Sequence, residues 1–244
     1  MYMVTRREMK MGGKVLAGLL ALSFLGACDD TNCIKGEGVV ETRTLNLEPF
    51  SRIEANGDFK VYITQGQTQA VEVKGEPNIL NQLNTSIDGD TWEIENRECV
   101  RRSEAVEVYI TMPQVQSLYL NGSGRITSQS DIAAEELAVE VNGSGKIDFD
   151  VSAEKVIARV TGSGEVVLHG EAPLYNVTIS GSGKASAFEL QTENANAVIS
   201  GSGVAEVSAS NALAADISGS GIVYYKGDPE VTTTISGSGK VVKK

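Results

Sequence analysis

The second half of the chain repeats one short pattern of apolar and polar positions around the triplet Gly-Ser-Gly. The triplet begins at residues 122, 143, 162, 181, 201, 219 and 237. The residue two positions before it is aliphatic every time: Leu120, Val141, Val160, Ile179, Ile199, Ile217 and Ile235. The residue directly before it is polar every time: Asn121, Asn142, Thr161, Ser180, Ser200, Ser218 and Ser236. Because side chains alternate between the two sides of a β-strand, this pattern predicts a strand whose aliphatic residues point inward.

The spacing of the triplets predicts how these strands are arranged. Successive copies begin 18 to 21 residues apart. A period near twenty is typical of a solenoid, in which each coil buries its apolar face against its neighbours. Each unit is then a strand, a Gly-Ser-Gly corner, a second strand and a variable loop. We therefore predict an all-β fold, a parallel β-solenoid with coils of about 20 residues.

The glycines of the triplets are predicted to be structural. A sharp corner between strands needs either a positive φ angle or a close approach of two backbones, and both disfavour a residue with a Cβ atom. We also expect the stacked corner serines to hydrogen-bond to one another. The corner glycines are Gly122, Gly124, Gly143, Gly145, Gly162, Gly164, Gly181, Gly183, Gly201, Gly203, Gly219, Gly221, Gly237 and Gly239.

The repeat weakens upstream of residue 118 without disappearing. Residues 53–61 match residues 118–126, with Asn-Gly retained and Ser-Gly lost. Strands are predicted at 59–64, 70–73, 91–95 and 106–112, with one helical turn within 78–83. Because an open solenoid end exposes an unpaired strand edge, we interpret this irregular part as a cap. At the other end, the charges of the lysines at 240, 243 and 244 could discourage end-to-end stacking.

The N-terminal residues have the pattern of an export signal. Four basic residues within positions 6–14 precede an apolar stretch at 15–24, which is too short to span a membrane as a mature helix. Leu25-Gly26-Ala27-Cys28 follows and resembles the lipobox of bacterial lipoproteins. The resemblance implies cleavage before Cys28, acylation of that residue and attachment to the membrane through lipid. The alternative is an ordinary signal peptide.

The predicted divisions of the chain follow from this signal. They are a signal peptide at 1–27, a lipidated tether at 28–39 and a solenoid domain at 40–244, with less regular coils at 40–117 and regular repeats at 118–244. Asp29 and Asp30 resemble the signal that exports lipoproteins of Bacteroidetes-type bacteria to the cell surface, whereas in enteric bacteria they resemble an inner-membrane retention signal. We expect an outer-membrane, surface-exposed lipoprotein.

Charge and cysteine content limit the partners. The chain has 32 Asp and Glu residues against 21 Lys and Arg residues, which argues against binding to nucleic acid or to anionic lipid. With Cys28 acylated, Cys33 and Cys99 remain as an even pair in an oxidising compartment. A disulfide between them and two free thiols are both open.

Several segments together resemble a known family. They are Thr44-Leu45-Asn46-Leu47-Glu48-Pro49-Phe50-Ser51-Arg52-Ile53, Val61-Tyr62-Ile63-Thr64-Gln65-Gly66, Val108-Tyr109-Ile110-Thr111-Met112-Pro113 and the triplets that follow. Their order is similar to that in the auto-transporter adhesin head domain, also called the head GIN domain, over residues 40–244. The resemblance implies a right-handed parallel β-helix in an envelope lipoprotein, with adhesion as the function that the family name proposes. It offers no catalytic residues.

Catalytic and metal-binding interpretations of the sequence are weaker. A P-loop needs Lys followed by Ser or Thr and then a helix, whereas each triplet here precedes a strand-like segment. Seven equivalent serines cannot share the single histidine, His169, which we interpret as a surface residue at a strand end. We interpret Asp148, Asp150 and Glu154 as a solvated face rather than a weak calcium site, and we expect no cofactor.

Two further groups of residues were considered as candidates for ligand contact. Aromatic rings stack on sugars, although these rings could equally fill the early coils or cover an end: Tyr62, Trp92, Tyr109, Tyr119 and Tyr224. Asp58, Asp88 and Asp90 lie at predicted turns without the aromatic platforms or cationic neighbours of a sugar-cleaving groove.

The expected function is that of a non-enzymatic, lipid-anchored envelope protein. Its solenoid surface would serve as an adhesin or binding module for glycan, matrix or protein. The alternatives are a periplasmic structural or regulatory lipoprotein and, from another class, a carbohydrate-active β-helix enzyme. The oligomeric state is open.

Overall fold

The strands predicted from the alternating pattern stack into a parallel β-solenoid. The computed structural model describes residues 33–101 and 103–244. Nearly all of their regular structure is β-strand, arranged in about seven turns with coils of about 19 residues. This arrangement confirms the predicted fold class.

The described residues up to 128 form nine strands and one helical turn. They are β1 (Glu41–Leu45), β2 (Arg52–Gly57), β3 (Lys60–Gln65), β4 (Ala70–Gly75), α1 (Pro77–Leu80), β5 (Ile87–Asp88), β6 (Thr91–Ile94), β7 (Glu107–Met112), β8 (Ser117–Gly122) and β9 (Arg125–Ser128). The repeats add β10 (Ile132–Gly143), β11 (Lys146–Gly162), β12 (Glu165–Glu171), β13 (Leu174–Gly181), β14 (Lys184–Gly201), β15 (Val204–Gly219), β16 (Ile222–Lys226), β17 (Glu230–Gly237) and β18 (Lys240–Lys243). The four strands predicted upstream of residue 118 are all present.

Each repeated coil has two long faces that meet at the corner. Face A contains the strands that lead into the corner: β2, β8, β13, β17 and the last parts of β10, β11, β14 and β15. Face B contains the strands that leave it: β3, β9, β12, β16, β18 and the first parts of β11, β14 and β15. Neighbouring strands on both faces are parallel, and the first glycines of successive triplets lie opposite each other throughout.

The two glycines of each triplet have different roles. The first has a φ angle between 103° and 127°, and a Cβ atom on it would lie 2.4–2.7 Å from a glycine carbonyl oxygen of the preceding coil. The second lies against the preceding coil's core, as at Gly221, where a Cβ atom would lie 2.5 Å from Ile199 Cγ2. The first glycine of each triplet is therefore required by its positive φ angle. The close approach of the preceding coil disfavours a Cβ atom at both glycines.

The ladder at the corner is formed by the backbone. The amide of Ser202 donates to the carbonyl oxygen of Gly181 at 2.8 Å, and the same bond recurs in the other triplets. The corner serine side chains are exposed. The expected ladder of serine hydroxyls is absent among the bonds of the described residues, and the backbone amides link the corners instead.

The aliphatic column two positions before the triplets fills the core. Ile199 is buried between Ile179 and Ile217 of the adjoining coils, and only Ile235, in the last described coil, is exposed. Tyr175 is also buried, its hydroxyl has no hydrogen-bond partner, and burial raises the pKa of Tyr175. The interior is thus almost entirely apolar, as the stacking of successive coils requires.

The upstream strands are threaded in an order that the repeat does not follow. On face A, β2 lies between β6 and β8. The chain therefore first forms the coil that contains β2. It then adds β6 and β7 on the outer side of that coil, toward the end of the solenoid, and returns to the inner side of the coil at β8. On face B, β4 pairs antiparallel with β7, and β1 pairs antiparallel with β4. A two-residue strand, β5, pairs antiparallel with β6. These strands cover one end of the solenoid, in agreement with its interpretation as a cap.

Candidate functional site

Two tyrosines stack on face B at the capped end. Tyr62 of β3 lies opposite Tyr109 of β7 because the two parallel strands are in register. Their ring centroids are 4.9 Å apart and their planes differ by 17°. The flanking residues Val61 and Ile63 point into the core, so alternation along the strand directs the tyrosine outward. Both rings are therefore held by the sheet while remaining partly exposed.

Charged groups surround Tyr109. Its hydroxyl donates to Glu107 Oε2 at 2.9 Å, and Lys74 Nζ donates to the same oxygen at 3.0 Å. Lys60 Nζ lies 3.9 Å from the other oxygen of Glu107. We call Lys60, Tyr62, Lys74, Glu107 and Tyr109 the tyrosine platform. It combines two aromatic rings with charges of both signs on one surface.

The ionisation of the platform follows from these bonds. The hydrogen bond from Lys74, followed by that from Tyr109, lowers the pKa of Glu107 below its ordinary value. The bond to Glu107 raises the pKa of Lys74, and together with partial burial it also raises the pKa of Tyr109. Near neutral pH the platform therefore presents a carboxylate, an ammonium group and an un-ionised phenol. Such groups can hydrogen-bond to a polar ligand.

The other aromatic candidates lie apart from the platform. Trp92 is fully buried, donates from Nε1 to the carbonyl oxygen of Asn84 at 3.0 Å and packs near Phe50, so it is a core residue. Tyr119 lies on face A, where its hydroxyl accepts a bond from Asn142. Tyr224 lies on face B far along the repeats, with Lys244 Nζ 4.2 Å from its ring centroid.

The acidic candidates on the repeats are engaged with nearby polar or basic groups. Asp148 lies 3.3 Å from Lys146 Nζ and 3.6 Å from His169 Nε2. The hydroxyl of Ser128 donates to Asp150 Oδ2 at 3.5 Å and accepts from the backbone amide of Asp150 at 2.8 Å. Among the described residues, no group of three or more His, Cys, Asp or Glu side chains is arranged to hold a metal ion. His169 is partly exposed near a strand end.

The acidic candidates of the upstream region lie at or beside turns. Asp90 forms an ion pair with Arg52 at 3.3 Å. Asp88 lies opposite Thr91 in the β5–β6 hairpin, and Asp58 follows the corner glycine of β2. Asp90 therefore has a cationic neighbour, Arg52, although the sequence analysis expected none at these turns.

Two shallow grooves follow the loops on the side away from the corner. One has a volume of about 770 Å³ and is lined partly by Glu135, Glu136 and Lys155. The other has a volume of about 670 Å³ and is lined partly by Glu171 and Glu193. Both are lined mainly by polar side chains, and Lys155 Nζ donates to Glu136 at 2.9 Å. The grooves add a polar surface without an aromatic residue.

The cysteines divide between described and undescribed residues. Cys33 and Cys99 form a disulfide with an S–S distance of 2.02 Å, and it joins the start of the described chain to the cap. Cys28 and the other residues of the predicted signal lie outside the described residues. Within residues 33–101 and 103–244, no helix has the length and apolar character needed to cross a membrane.

The sequence contained a signal for the platform that alternation alone does not give. Val-Tyr-Ile-Thr occurs at both 61–64 and 108–111, and identical segments in a parallel solenoid are candidates to stack in register. Glu107 and Lys74 were not predicted as site residues. Lys74 is brought to Glu107 by antiparallel pairing of β4 with β7, which has no counterpart in the repeats.

Comparison with known proteins agrees with the fold. No curated protein matches the chain. The solved structure of a putative adhesin from Bacteroides fragilis is 22% identical, with a TM-score of 0.80, and the match covers 86% of this chain and 100% of that one. A putative adhesin from Parabacteroides merdae is 20% identical, with a TM-score of 0.71 and coverage of 86% and 98%. A putative lipid binding protein from Parabacteroides distasonis is 24% identical, with a TM-score of 0.72 and coverage of 86% and 99%.

The family model described as putative auto-transporter adhesin, head GIN domain, matches residues 49–229. This range contains the upstream coils, the tyrosine platform and six of the seven triplets. It confirms the resemblance inferred from the order of the short segments. The chain therefore belongs to the head GIN domain family of putative auto-transporter adhesins.

Proposed function

We propose that this protein is a non-enzymatic, lipid-anchored adhesin of the cell envelope that binds carbohydrate through the tyrosine platform. The observation that carries the proposal is the stack of Tyr62 and Tyr109 beside Glu107 and Lys74. The C–H groups of a sugar ring pack against aromatic surface, while its hydroxyls need donors and acceptors nearby. The platform supplies both on a rigid sheet.

Rigid presentation favours binding by this surface. The tyrosines project from neighbouring parallel strands, and β4 on one side and β9 on the other hold those strands in place. Because the rings are already ordered, a ligand would not need to order them on binding, which lowers the entropic cost of association. A partly exposed surface of this kind suits weak individual contacts that many copies on a cell can multiply.

The proposed anchor rests on the sequence before the solenoid. Leu25-Gly26-Ala27-Cys28 has the residues of a lipobox, and Cys33 begins the described domain only five positions later. Membership of an adhesin family agrees with a place in the cell envelope. We expect Cys28→Ser to release the protein from the membrane fraction, and unchanged membrane attachment with normal signal cleavage would contradict lipid anchoring.

Binding can be tested on cells that carry the full-length chain. We expect Tyr62→Ala with Tyr109→Ala to abolish binding to an immobilised glycan array while leaving the amount of folded protein unchanged. Tyr224→Ala is the matched control, because it also removes a tyrosine that points outward from face B. Equal binding by the double variant and the wild type would contradict the platform as the binding site.

Surface exposure needs a separate measurement. Protease added to intact cells should remove the solenoid domain if the protein is an adhesin, whereas a periplasmic structural or regulatory protein should be cleaved only after lysis. Protection in intact cells would therefore overturn the adhesin proposal whatever the glycan array shows.

A further inference from the structure

The last described coil leaves part of the core uncovered. Val231 and Ile235 of β17 occupy inward positions, opposite Leu213 and Ile217 of the preceding coil. Leu213 and Ile217 are 1% and 0% exposed, whereas Val231 and Ile235 are 37% and 43% exposed. No strand among the described residues pairs with the outer edge of β17, so its free backbone donors and acceptors accompany these aliphatic side chains.

The other exposed edge strands carry more charged residues than β17 does. The last strand of face B, β18, begins and ends with lysine, and β1 at the capped end carries Glu41 and Arg43. Lysine and other charges along an edge strand oppose pairing with a further strand. In contrast, β17 has one charged residue, Glu230 at its start. Residues 231–239 contain none and are rich in threonine, valine and isoleucine, which favour β-structure.

We propose that the outer edge of β17 pairs antiparallel with β17 of a second copy of this chain, about a two-fold axis through Thr233. In this register Val231 of one copy lies opposite Ile235 of the other, and Thr232 lies opposite Thr234. Inward positions then face inward positions in both copies, as an antiparallel pair requires. A register centred on Thr232 or Thr234 instead would separate the two exposed aliphatic residues.

The two ends of the solenoid limit the assembly to two copies. Head-to-tail stacking would place β17 against the capped end of the next copy, where the outermost strand of face A is β6. That strand has only four residues, and β5 covers part of its edge. A two-fold contact uses the same edge in both copies and therefore closes after one step, whereas a head-to-tail contact would continue as a fibre.

Site-directed cross-linking tests the register in the full-length chain purified in detergent. Two Thr233 residues would lie opposite each other with Cα atoms about 4.5–5.5 Å apart, within the range of a disulfide. Two Thr232 residues would be separated by about 8 Å, from two steps along the strand and one across it. We expect Thr233→Cys to give a disulfide-linked dimer on mild oxidation and Thr232→Cys to give none beyond the wild-type background.

A disruptive variant tests the contact without cross-linking. We expect Val231→Lys to raise the dimer dissociation constant at least tenfold in sedimentation equilibrium, because two lysines would enter the contact. The fold should survive, since Val231 is already partly exposed. Val39→Lys is the control, because Val39 is 86% exposed and lies outside the strands. A wild-type protein that stays monomeric, a dimer unaffected by Val231→Lys, or equal cross-linking at 232 and 233 would each overturn the proposal.

Discussion

The repeated coils of residues 117–243 and the cap of residues 33–112 use the same parallel strand pairing but close their edges differently. In the repeats, each face A strand before β17 is covered by the next coil, with the first glycines of the triplets in register. In the cap, β2 is enclosed between two later strands, and antiparallel strands lie outside them. A repeat can therefore extend a solenoid by copying one unit, whereas ending it requires strands that break the repeat.

The difference also separates the regular outer surface of the repeats from the candidate binding surface at the cap. On the repeats, the outward column directly before the triplet is uniformly small and polar, and no ring is stacked there. At the cap, the change of strand direction brings Lys74 beside Glu107, and the parallel pairing of β3 with β7 brings two tyrosines together. The irregular end thus carries the stacked tyrosine pair, whereas charged side chains of the coils, such as Lys146 and Asp148, form ion pairs without such a stack nearby.

The largest effect is expected from a charged substitution in the core of the repeats. Ile199→Asp would place a charge between Ile179 and Ile217 with no partner, and we expect it to prevent cooperative folding. Ser200→Asp is the control, because Ser200 is exposed at the adjacent position. Circular dichroism during heating provides the measurement. A cooperative melt of Ile199→Asp like that of the wild type would contradict the register.

A smaller effect compares a corner glycine with a glycine of the cap. Gly201 has a φ angle of 126° and leaves only 2.5 Å between a new Cβ atom and the carbonyl oxygen of Gly181, whereas Gly89 has a φ angle of 61° and open space around it. We expect Gly201→Ala to lower the free energy of unfolding by about 2–6 kcal/mol, from backbone strain and overpacking together. Gly89→Ala should cost only about 1–2 kcal/mol.

Urea denaturation of the two variants measures this difference. Equal losses would mean that the positive φ angle alone explains the corner glycines. In that case the close contact between coils would not be needed to account for glycine at these positions.

Removal of the disulfide tests whether the cap loses stability independently of the repeats. Cys33→Ser with Cys99→Ser opens a link across 66 residues, and we expect the cap to lose about 2–4 kcal/mol of stability. Amide exchange should then become faster in β1 and β4 while the strands of residues 117–243 keep their protection, because the repeats do not depend on this link. Faster exchange throughout both regions would show that the cap and the coils open as one unit.

Much of the repeated region could be predicted because one residue type recurs at each position. The match of residues 53–61 to 118–126 even gave the pairing of Ile53 with Leu118 across two distant parts of the chain. The order of the cap strands could not be predicted in the same way. Nothing in the alternation of β6 indicates that it pairs with β2, since both strands have one buried face and no repeated marker.

The candidate site was predictable only in its aromatic residues. Tyr62, Tyr109 and Trp92 were all candidates because aromatic rings stack on sugars, with filling of the early coils left open. The two tyrosines are partly exposed, whereas Trp92 is buried with its indole N–H bonded inside the protein. Trp92 is buried because it shares the core-facing side of β6 with Ile94 and lies opposite Ile53. The ion pair of Lys74 with Glu107 depends on the direction of β4, which composition does not encode.

The smallest expected effect concerns the charge on the platform. The folded state lowers the pKa of Glu107 from an ordinary value of 4.5, mainly through the hydrogen bond from Lys74. Glu107 therefore stabilises the fold above about pH 4.5, and this contribution is lost as the pH falls through its folded-state pKa. We expect Glu107→Gln to be slightly less stable than the wild type at pH 7, with the difference shrinking below pH 4.5.

Urea midpoints of the two proteins between pH 7 and pH 3 provide the measurement, since every other carboxylate titrates in both. Lys74→Met supplies the control, because in its background the substitution of Glu107 should lose most of its pH dependence. A difference that stays constant with pH would mean that the side-chain contacts of Glu107, rather than its charge, support the platform. The cap would then resemble the repeats, in which packing and backbone geometry carry the structure.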